Sequence, residues 1–112
     1  MKRRAARVDA NQTKVVEHLR KAGLSVAITS ALGNGFPDLV VAAKILTNVI
    51  GGTSDRVIKQ YRINTVLVEL KDPSQPPSKR RLSPDEKKFH ESWKGQIIVA
   101  TTAEEILNLF NL

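Results

Sequence analysis

Two charged residues stand inside an otherwise apolar segment of the chain. Residues 65–71 read Thr-Val-Leu-Val-Glu-Leu-Lys, and their β-branched and apolar content predicts a strand. Side chains alternate between the two faces of a strand, so Glu69 and Lys71 share one face. Burying either charge alone is costly, and we expect these groups to meet each other, a metal ion or a substrate. A plain ion pair at the end of a strand is the alternative interpretation.

A third charged residue, Asp38, follows Pro37 and precedes the apolar run 39–43, which is typical of a buried strand. In an antiparallel meander that strand lies beside 65–71, and Asp38 and Glu69 can approach each other on one face. Two converging carboxylates repel each other, and a hard divalent cation such as Mg²⁺, held by oxygens and retained waters, relieves the repulsion. Such an ion lowers the pKa of a bound water and neutralises charge on a phosphate. Capping of the preceding turn is the alternative role of Asp38.

Two helices are expected to frame these strands. The first is predicted over residues 10–22, with Asp9 as N-cap and Gln12 at the capping-box position. The second begins at the run Ser83-Pro84-Asp85-Glu86, a capping box with proline at the first helical position, and is predicted to end near Gly95. Its apolar side, with Phe89 and Trp93, is expected to point inward together with Glu86 and His90.

The complete predicted order is α-β-β-β-α-β-α, which places the chain in the α/β (α+β) class with a mixed central sheet flanked by helices. Residues 44–62 are predicted to form a hairpin-like insertion rather than a helix. The other predicted elements are strands over 24–30 and 96–100 and a final helix, capped by Thr101 or Thr102, that contains Ala103, Ile106, Leu107 and Phe110.

Composition limits the classes of protein to which the chain can belong. Its 112 residues suit one domain, expected over 9–112 after a basic arm at 1–8. The 41% hydrophobic content is enough for a core, and no apolar stretch is long enough to span a membrane, which predicts a cytoplasmic protein. The absence of cysteine excludes disulfides and thiolate zinc sites. A formal net charge of +7 favours a polyanionic partner.

The motifs in this order resemble the PD-(D/E)xK nuclease superfamily. Pro37-Asp38 followed by Glu69-Leu70-Lys71 matches its signature, and the element order is similar to its restriction-endonuclease-like core. More narrowly, Gly35-Phe36-Pro37-Asp38-Leu39, Val68-Glu69-Leu70-Lys71 and Leu82-Ser83-Pro84-Asp85-Glu86 look like the VRR-NUC branch and the related Holliday-junction resolvases. Small phage and bacterial members of that branch have this size. The resemblance covers roughly residues 9–107.

The resemblance implies a divalent-metal-dependent endonuclease that hydrolyses DNA phosphodiester bonds, with Mg²⁺ or Mn²⁺ as cofactor. Asp38 and Glu69 would be metal ligands together with the backbone carbonyl of Leu70, and Lys71 would be the catalytic lysine. Many relatives carry a helix-1 glutamate near the metal, where this chain has Gln12, with Asp9 one turn earlier. Relatives often have glutamine at the position of Glu86, for which capping is the alternative role. Gln12, Asp9 and Glu86 are expected to lie beside the metal ligands and to support them.

Basic residues outside the site are expected to bind DNA phosphates without reading sequence. They are Lys79, Arg80 and Arg81 on the loop after the catalytic strand and Lys2, Arg3 and Arg4 in the N-terminal arm. Branched or duplex DNA is the expected partner. Because one chain carries one site and a junction needs two cuts, a homodimer is expected, with 44–62 or the final helix as its interface. A non-catalytic basic DNA-binding protein on a degenerate nuclease fold is the alternative interpretation.

Overall fold

A mixed β-sheet organises the computed structural model, which describes residues 11–51 and 56–111. In these ranges the chain is α+β, with the expected order of three α-helices and four strands. The elements are α1 (Gln12–Lys21), β1 (Ser25–Ile28), β2 (Leu39–Gly51), β3 (Arg56–Leu70), α2 (Pro84–Ser92), β4 (Ile97–Ala100) and α3 (Ala103–Leu109), with short 3₁₀ turns at Ser30–Leu32 and Pro77–Lys79. The expected basic arm at 1–8 lies outside the described residues.

The sheet has the strand order β1-β2-β3-β4, and the first three strands form the expected antiparallel meander. β4 returns parallel to β3, with Glu69 beside Val99 and Leu70 beside Ala100. Residues Leu39 and Val68 are partners in the β2–β3 register. Asp38, the residue before Leu39, therefore lies opposite Glu69, the residue after Val68.

The hydrophobic core lies on one face of this sheet, under α1 and α3. Alternation sends one set of strand side chains towards these helices and the other set, which includes Glu69, to the opposite face. The core side chains from the helices and strands include Val15, Val16, Leu19, Leu39, Val41, Val66, Val68, Leu70, Ile106 and Phe110, all buried. Within the described ranges no helix has the length and apolar character needed to cross a bilayer.

β2 and β3 extend well beyond the rest of the sheet. β1 pairs with β2 only as far as Ala42, and β4 pairs with β3 only from Leu67 onwards. Between residues 44–51 and 56–63 the two strands pair with each other, which is the extended hairpin that the sequence predicts for 44–62. We call this two-stranded segment the ribbon. The molecule is elongated as a result, with dimensions of 66 × 28 × 27 Å.

The first helix begins later than the sequence predicts. Its N-cap is Asn11, and Gln12 is the first helical residue, so a capping box between Asp9 and Gln12 is wrong; Asp9 itself lies outside the described residues. Asn11 makes no side-chain capping bond. Its Nδ2 instead donates to the carbonyl oxygen of Thr101 at 3.0 Å, because the start of α1 lies against the ends of β3 and β4.

The second helix ends earlier than predicted, at Ser92 rather than near Gly95. Trp93 is the C-cap residue with an extended backbone, and the chain must reverse at once because β4 begins at Ile97. Trp93 is 43% exposed and stacks on Phe89 with ring centroids 5.4 Å apart, so the expectation that it points inward is wrong. The predicted capping box between Ser83 and Glu86 is confirmed, and Thr102 caps α3 as one of the two predicted residues.

A close backbone approach joins the loop before Asp38 to the start of α2. Gly35 has a φ of +79°, and a Cβ there would overlap the carbonyl of Asp85 and lie 2.8 Å from the backbone nitrogen of Glu86. Phe36 packs edge-on against Phe89, with centroids 5.1 Å apart. Glycine at position 35 therefore lets the Asp38 turn and α2 meet.

We expect Gly35→Ala to destabilise the protein by about 1–3 kcal/mol more than Gly23→Ala, because only the former forces two backbones apart. Gly23 is the matched control, since it also has a positive φ, +93°, but a Cβ there would have no neighbour within 4 Å. Urea unfolding of both variants measures the difference. Equal losses of stability would contradict the close approach.

Candidate active site

Asp38 is held at the start of β2 by bonds from two directions. Its Oδ2 accepts a hydrogen bond of 2.8 Å from the backbone nitrogen of Leu70 on the neighbouring strand. Its carbonyl oxygen accepts from the backbone nitrogen of Thr29 at 2.7 Å, and the Thr29 hydroxyl donates to the carbonyl of Pro37 at 2.7 Å. The turn and the end of β3 together fix this carboxylate beside Glu69.

Glu69 is almost completely removed from water. It is 2% exposed and lies on the sheet face opposite the hydrophobic core, near the end of β3. Its Oε1 lies 3.8 Å from Nζ of Lys71, which confirms that the two side chains share one face. Its Oε2 is buried and accepts no hydrogen bond from an N–H or hydroxyl donor in the described part of the chain. A buried oxygen of this kind can serve as a ligand.

Lys71 makes its shortest ion pair with Glu86 rather than with Glu69. Nζ of Lys71 donates to Oε1 of Glu86 at 2.9 Å, and the same oxygen accepts from the backbone nitrogen of Ser83 at 2.8 Å. Capping and a position beside the site were alternatives for Glu86 in the sequence. The structure shows both, because the carboxylate that closes the capping box also faces β3.

Burial raises the pKa of Glu69 to about 10, and hydrogen bonds to Glu86 and Asp38 and their negative charges add to the rise. Desolvation favours the neutral acid, as does a neighbouring carboxylate. Glu69 therefore carries a proton at neutral pH when no cation is bound. That proton allows three carboxyl groups to lie together.

Glu86 and Lys71 shift in the directions expected for an ion pair. Burial alone would raise the pKa of Glu86, but hydrogen bonds from Glu69, Ser83 and Lys71 outweigh it and lower the pKa to about 2. Burial alone would lower the pKa of Lys71, yet its bond to Glu86 and that residue's charge raise the pKa. At neutral pH the cluster consists of a neutral Glu69 and a charged Lys71–Glu86 pair.

Gln12 is buried at 3% exposure, and its Oε1 has no partner among the described residues. The bond from Asn11 Nδ2 to the Lys71 carbonyl, at 3.5 Å, brings the start of α1 to the end of β3 that carries the site. The described hydrogen bonds include none from Gln12 to Asp38, Glu69 or Lys71. A supporting role for Gln12 stays a prediction.

The basic residues expected to contact DNA have different surroundings. Lys79 and Arg81 are exposed on the segment that follows β3, where Pro77–Lys79 forms a 3₁₀ turn. Arg80 is half-buried, and its Nε has no partner in the part of the chain that the structure describes. Lys2, Arg3 and Arg4 lie outside the described residues.

Asn11 lies near the site although sequence reasoning did not identify it, and His90, which was expected only to point inward, also lies near the site. Nε2 of His90 is buried without a partner in the described ranges. Burial lowers the pKa of His90; Glu86 opposes the shift and Lys71 adds to it, which shows that the imidazole lies near that pair. The spacing of Glu86 and His90 by one helical turn was a signal for His90. Nothing in the sequence linked Asn11 to the distant strand ends.

The donor set is compatible with a hard cation. Among the described residues no three His, Cys, Asp or Glu side chains form a ready-made metal cluster. Mg²⁺, however, is usually bound by one or two carboxylates and several waters, and Asp38 with the unpartnered Oε2 of Glu69 supplies that number. Metal binding would require Glu69 to lose its proton.

Comparison with known proteins identifies no relative of this chain. No protein-family model, curated protein or solved structure significantly matches this chain. The interpretation of the site therefore depends on the geometry given above.

We expect Glu69→Gln to stabilise the metal-free protein at pH 7 by about 3 kcal/mol and to have little effect at pH 4. Between the unfolded value of 4.5 and the folded value of about 10, the folded state holds a proton that the unfolded state has lost. The contribution of Glu69 to stability therefore falls as pH rises through that window, and a neutral glutamine has no such penalty.

Urea unfolding in EDTA at the two pH values measures this effect. Glu17→Gln, the same substitution at an exposed position of α1, controls for the change in net charge. A Glu69→Gln variant that is less stable than the parent at pH 7 would contradict a protonated Glu69.

Proposed function

We propose that this protein is a divalent-metal-dependent DNA endonuclease with a restriction-endonuclease-like core, of the PD-(D/E)xK type and its VRR-NUC branch. The observation that carries the proposal is the convergence of Asp38, Glu69 and Lys71 at one end of β2 and β3. Asp38, which is distant from the other two in the sequence, meets Glu69 and Lys71 on one face of the sheet. The crowding of Glu69 against Asp38 and Glu86 supports the proposal, because a bound cation would relieve the repulsion among converging carboxylates.

Asp38, Glu69 and the backbone carbonyl of Leu70 would hold Mg²⁺ or Mn²⁺. When bound, such an ion lowers the pKa of a water ligand and neutralises charge that develops on the phosphate. The chain's own contribution is to fix the two carboxylates: the Leu70 amide orients Asp38, and the strand pairing aligns Glu69 with it.

Lys71 would orient the attacking water or stabilise negative charge on the phosphate. Glu86 raises the pKa of Lys71, so its amine is protonated at neutral pH. The 2.9 Å bond to Glu86 keeps Nζ on the side of the strand that carries Glu69. Glu86 is a positioning residue in this mechanism, since it acts through Lys71.

DNA is the proposed substrate because the chain has a net charge of +7 and a basic segment on the loop that follows the catalytic strand. Lys79 and Arg81 are exposed there and would contact phosphates beside the site. We propose selectivity for branched DNA, as in Holliday-junction resolvases. A homodimer would supply the second site for a symmetric pair of cuts.

The second candidate is a basic DNA-binding protein that lacks catalysis. Gln12 favours it, because a neutral amide at this buried position makes the neighbourhood of the site less negative than a glutamate would. This candidate predicts DNA binding that survives Asp38→Ala and no cleavage with any metal.

We expect the purified protein to nick branched DNA with Mg²⁺ or Mn²⁺ and not in EDTA. Glu69→Ala, Asp38→Ala and Lys71→Ala should each lower the rate at least ~100-fold, because each removes a metal ligand or a charge that acts in the transition state. Gel assays under single-turnover conditions measure the rates, with Glu17→Ala and Lys21→Ala as exposed controls.

One gel that compares a four-way junction, a flap and a linear duplex tests the selectivity. Faster cleavage of the junction supports a resolvase, and sedimentation of the protein tests the dimer. Unchanged nicking by Glu69→Ala would indicate that a contaminating nuclease cleaves the DNA, and it would contradict the proposal.

A further inference from the structure

The ribbon is a separate structural feature of the sheet. Eight residues on each strand, 44–51 and 56–63, pair with each other beyond the reach of β1 and β4. Both outer edges of the ribbon therefore have backbone groups that no described strand pairs. A two-stranded ribbon alone is only marginally stable in water, so a partner for this segment would add stability.

The length of the ribbon suits a large partner. Eight residues at ~3.3 Å each extend about 26 Å. This projection contributes to a long axis of 66 Å in a molecule whose other dimensions are 28 and 27 Å. Two strands about 4.8 Å apart make a ribbon narrow enough for the major groove of B-DNA, which is about 12 Å wide.

Charge distinguishes the possible partners. The two paired segments carry four cationic residues and no acidic one: Lys44, Arg56, Lys59 and Arg62. Lys44 and Arg62 are exposed at the base of the ribbon. A second copy that docks ribbon to ribbon would bring two sets of like charge together, whereas a polyanion complements them.

We propose that the ribbon is a DNA-binding arm that lies along the duplex flanking the cleavage point; this inference rests on the proposed function. The ribbon continues the strands that carry Glu69, starting six residues from it at Ile63 and ending thirteen residues from it at Arg56. At ~3.3 Å per residue it covers distances of about 20 to 43 Å from the site. At 3.4 Å per base pair these distances correspond to about 6–13 base pairs.

The first experiment measures the affinity of the full chain for a four-way junction in EDTA, so that no cleavage occurs. Lys44→Gln/Arg62→Gln removes the two exposed cations, and Lys14→Gln/Lys21→Gln on the exposed side of α1 is the control with the same change in charge. We call the variant Lys44→Gln/Arg62→Gln the ribbon pair. We expect this variant to raise Kd on the order of 50-fold at 0.1 M salt, since each lost phosphate contact contributes roughly eightfold there. The slope of log K against log salt should fall by about 2. The control pair should change Kd much less.

The second experiment varies the length of the DNA arms. Junctions with arms of about 6 base pairs, closed by hairpin loops, end where the ribbon begins, and arms of about 15 base pairs extend past its end. The parent protein should bind the long-armed junction more tightly, and the ribbon pair should show a smaller preference for the long arms. Adding Arg56→Gln and Lys59→Gln should increase the loss on long arms alone.

The outcomes separate this inference from the proposed function. If the protein cleaves DNA and the ribbon pair has the same Kd as the control pair, the inference of a DNA-binding arm is contradicted and the proposed nuclease activity is supported. If no metal supports cleavage but the ribbon pair loses affinity for the long-armed junction, the DNA-binding arm is supported and the proposed nuclease activity is contradicted. If the ribbon substitutions change the sedimenting mass instead of Kd, the ribbon is an interface between two copies and the inference is overturned.

Discussion

A carboxyl group without access to water is the constraint around which this structure is organised. Glu69 lies beside two other carboxyl groups, and three simultaneous negative charges in that position would be unfavourable. Protonation of Glu69 removes one charge, and the Lys71–Glu86 pair compensates another. The cluster exists only because three separate pieces of the chain meet: the Asp38 turn, the end of β3 and the first turn of α2.

The two faces of the sheet are built by different interactions. α1 and α3 cover one face with aliphatic side chains that are fully buried. On the other face α2 contributes no fully buried side chain. The contacts shown there are polar or local: the Lys71–Glu86 pair, the approach of Gly35 and the edge contact between Phe36 and Phe89. A costly polar cluster on one face is tolerated because the opposite face supplies the hydrophobic stability.

The ribbon and the carboxylate cluster are at opposite ends of the same two strands. Asp38 directly precedes β2 and Glu69 lies near the end of β3, whereas Gly51 and Arg56 pair at the far end. The register of the two strands thus separates a basic extension from an acidic site. Under the proposed function, the separation lets one molecule bind duplex phosphates without bringing those cations next to the carboxylates.

The sequence by itself determined the element order, the hairpin and the pairing of Glu69 with Lys71 on one face, because strand alternation and capping are local rules. It also indicated that Asp38 and Glu69 approach each other. Only the tertiary structure decided where α1 begins, since Asn11 bonds to strand ends that are distant in the sequence. It likewise decided that Lys71 pairs most closely with Glu86 and that Glu69 keeps its proton. Burial and charge in a cluster depend on how separate elements pack, and no local pattern encodes that.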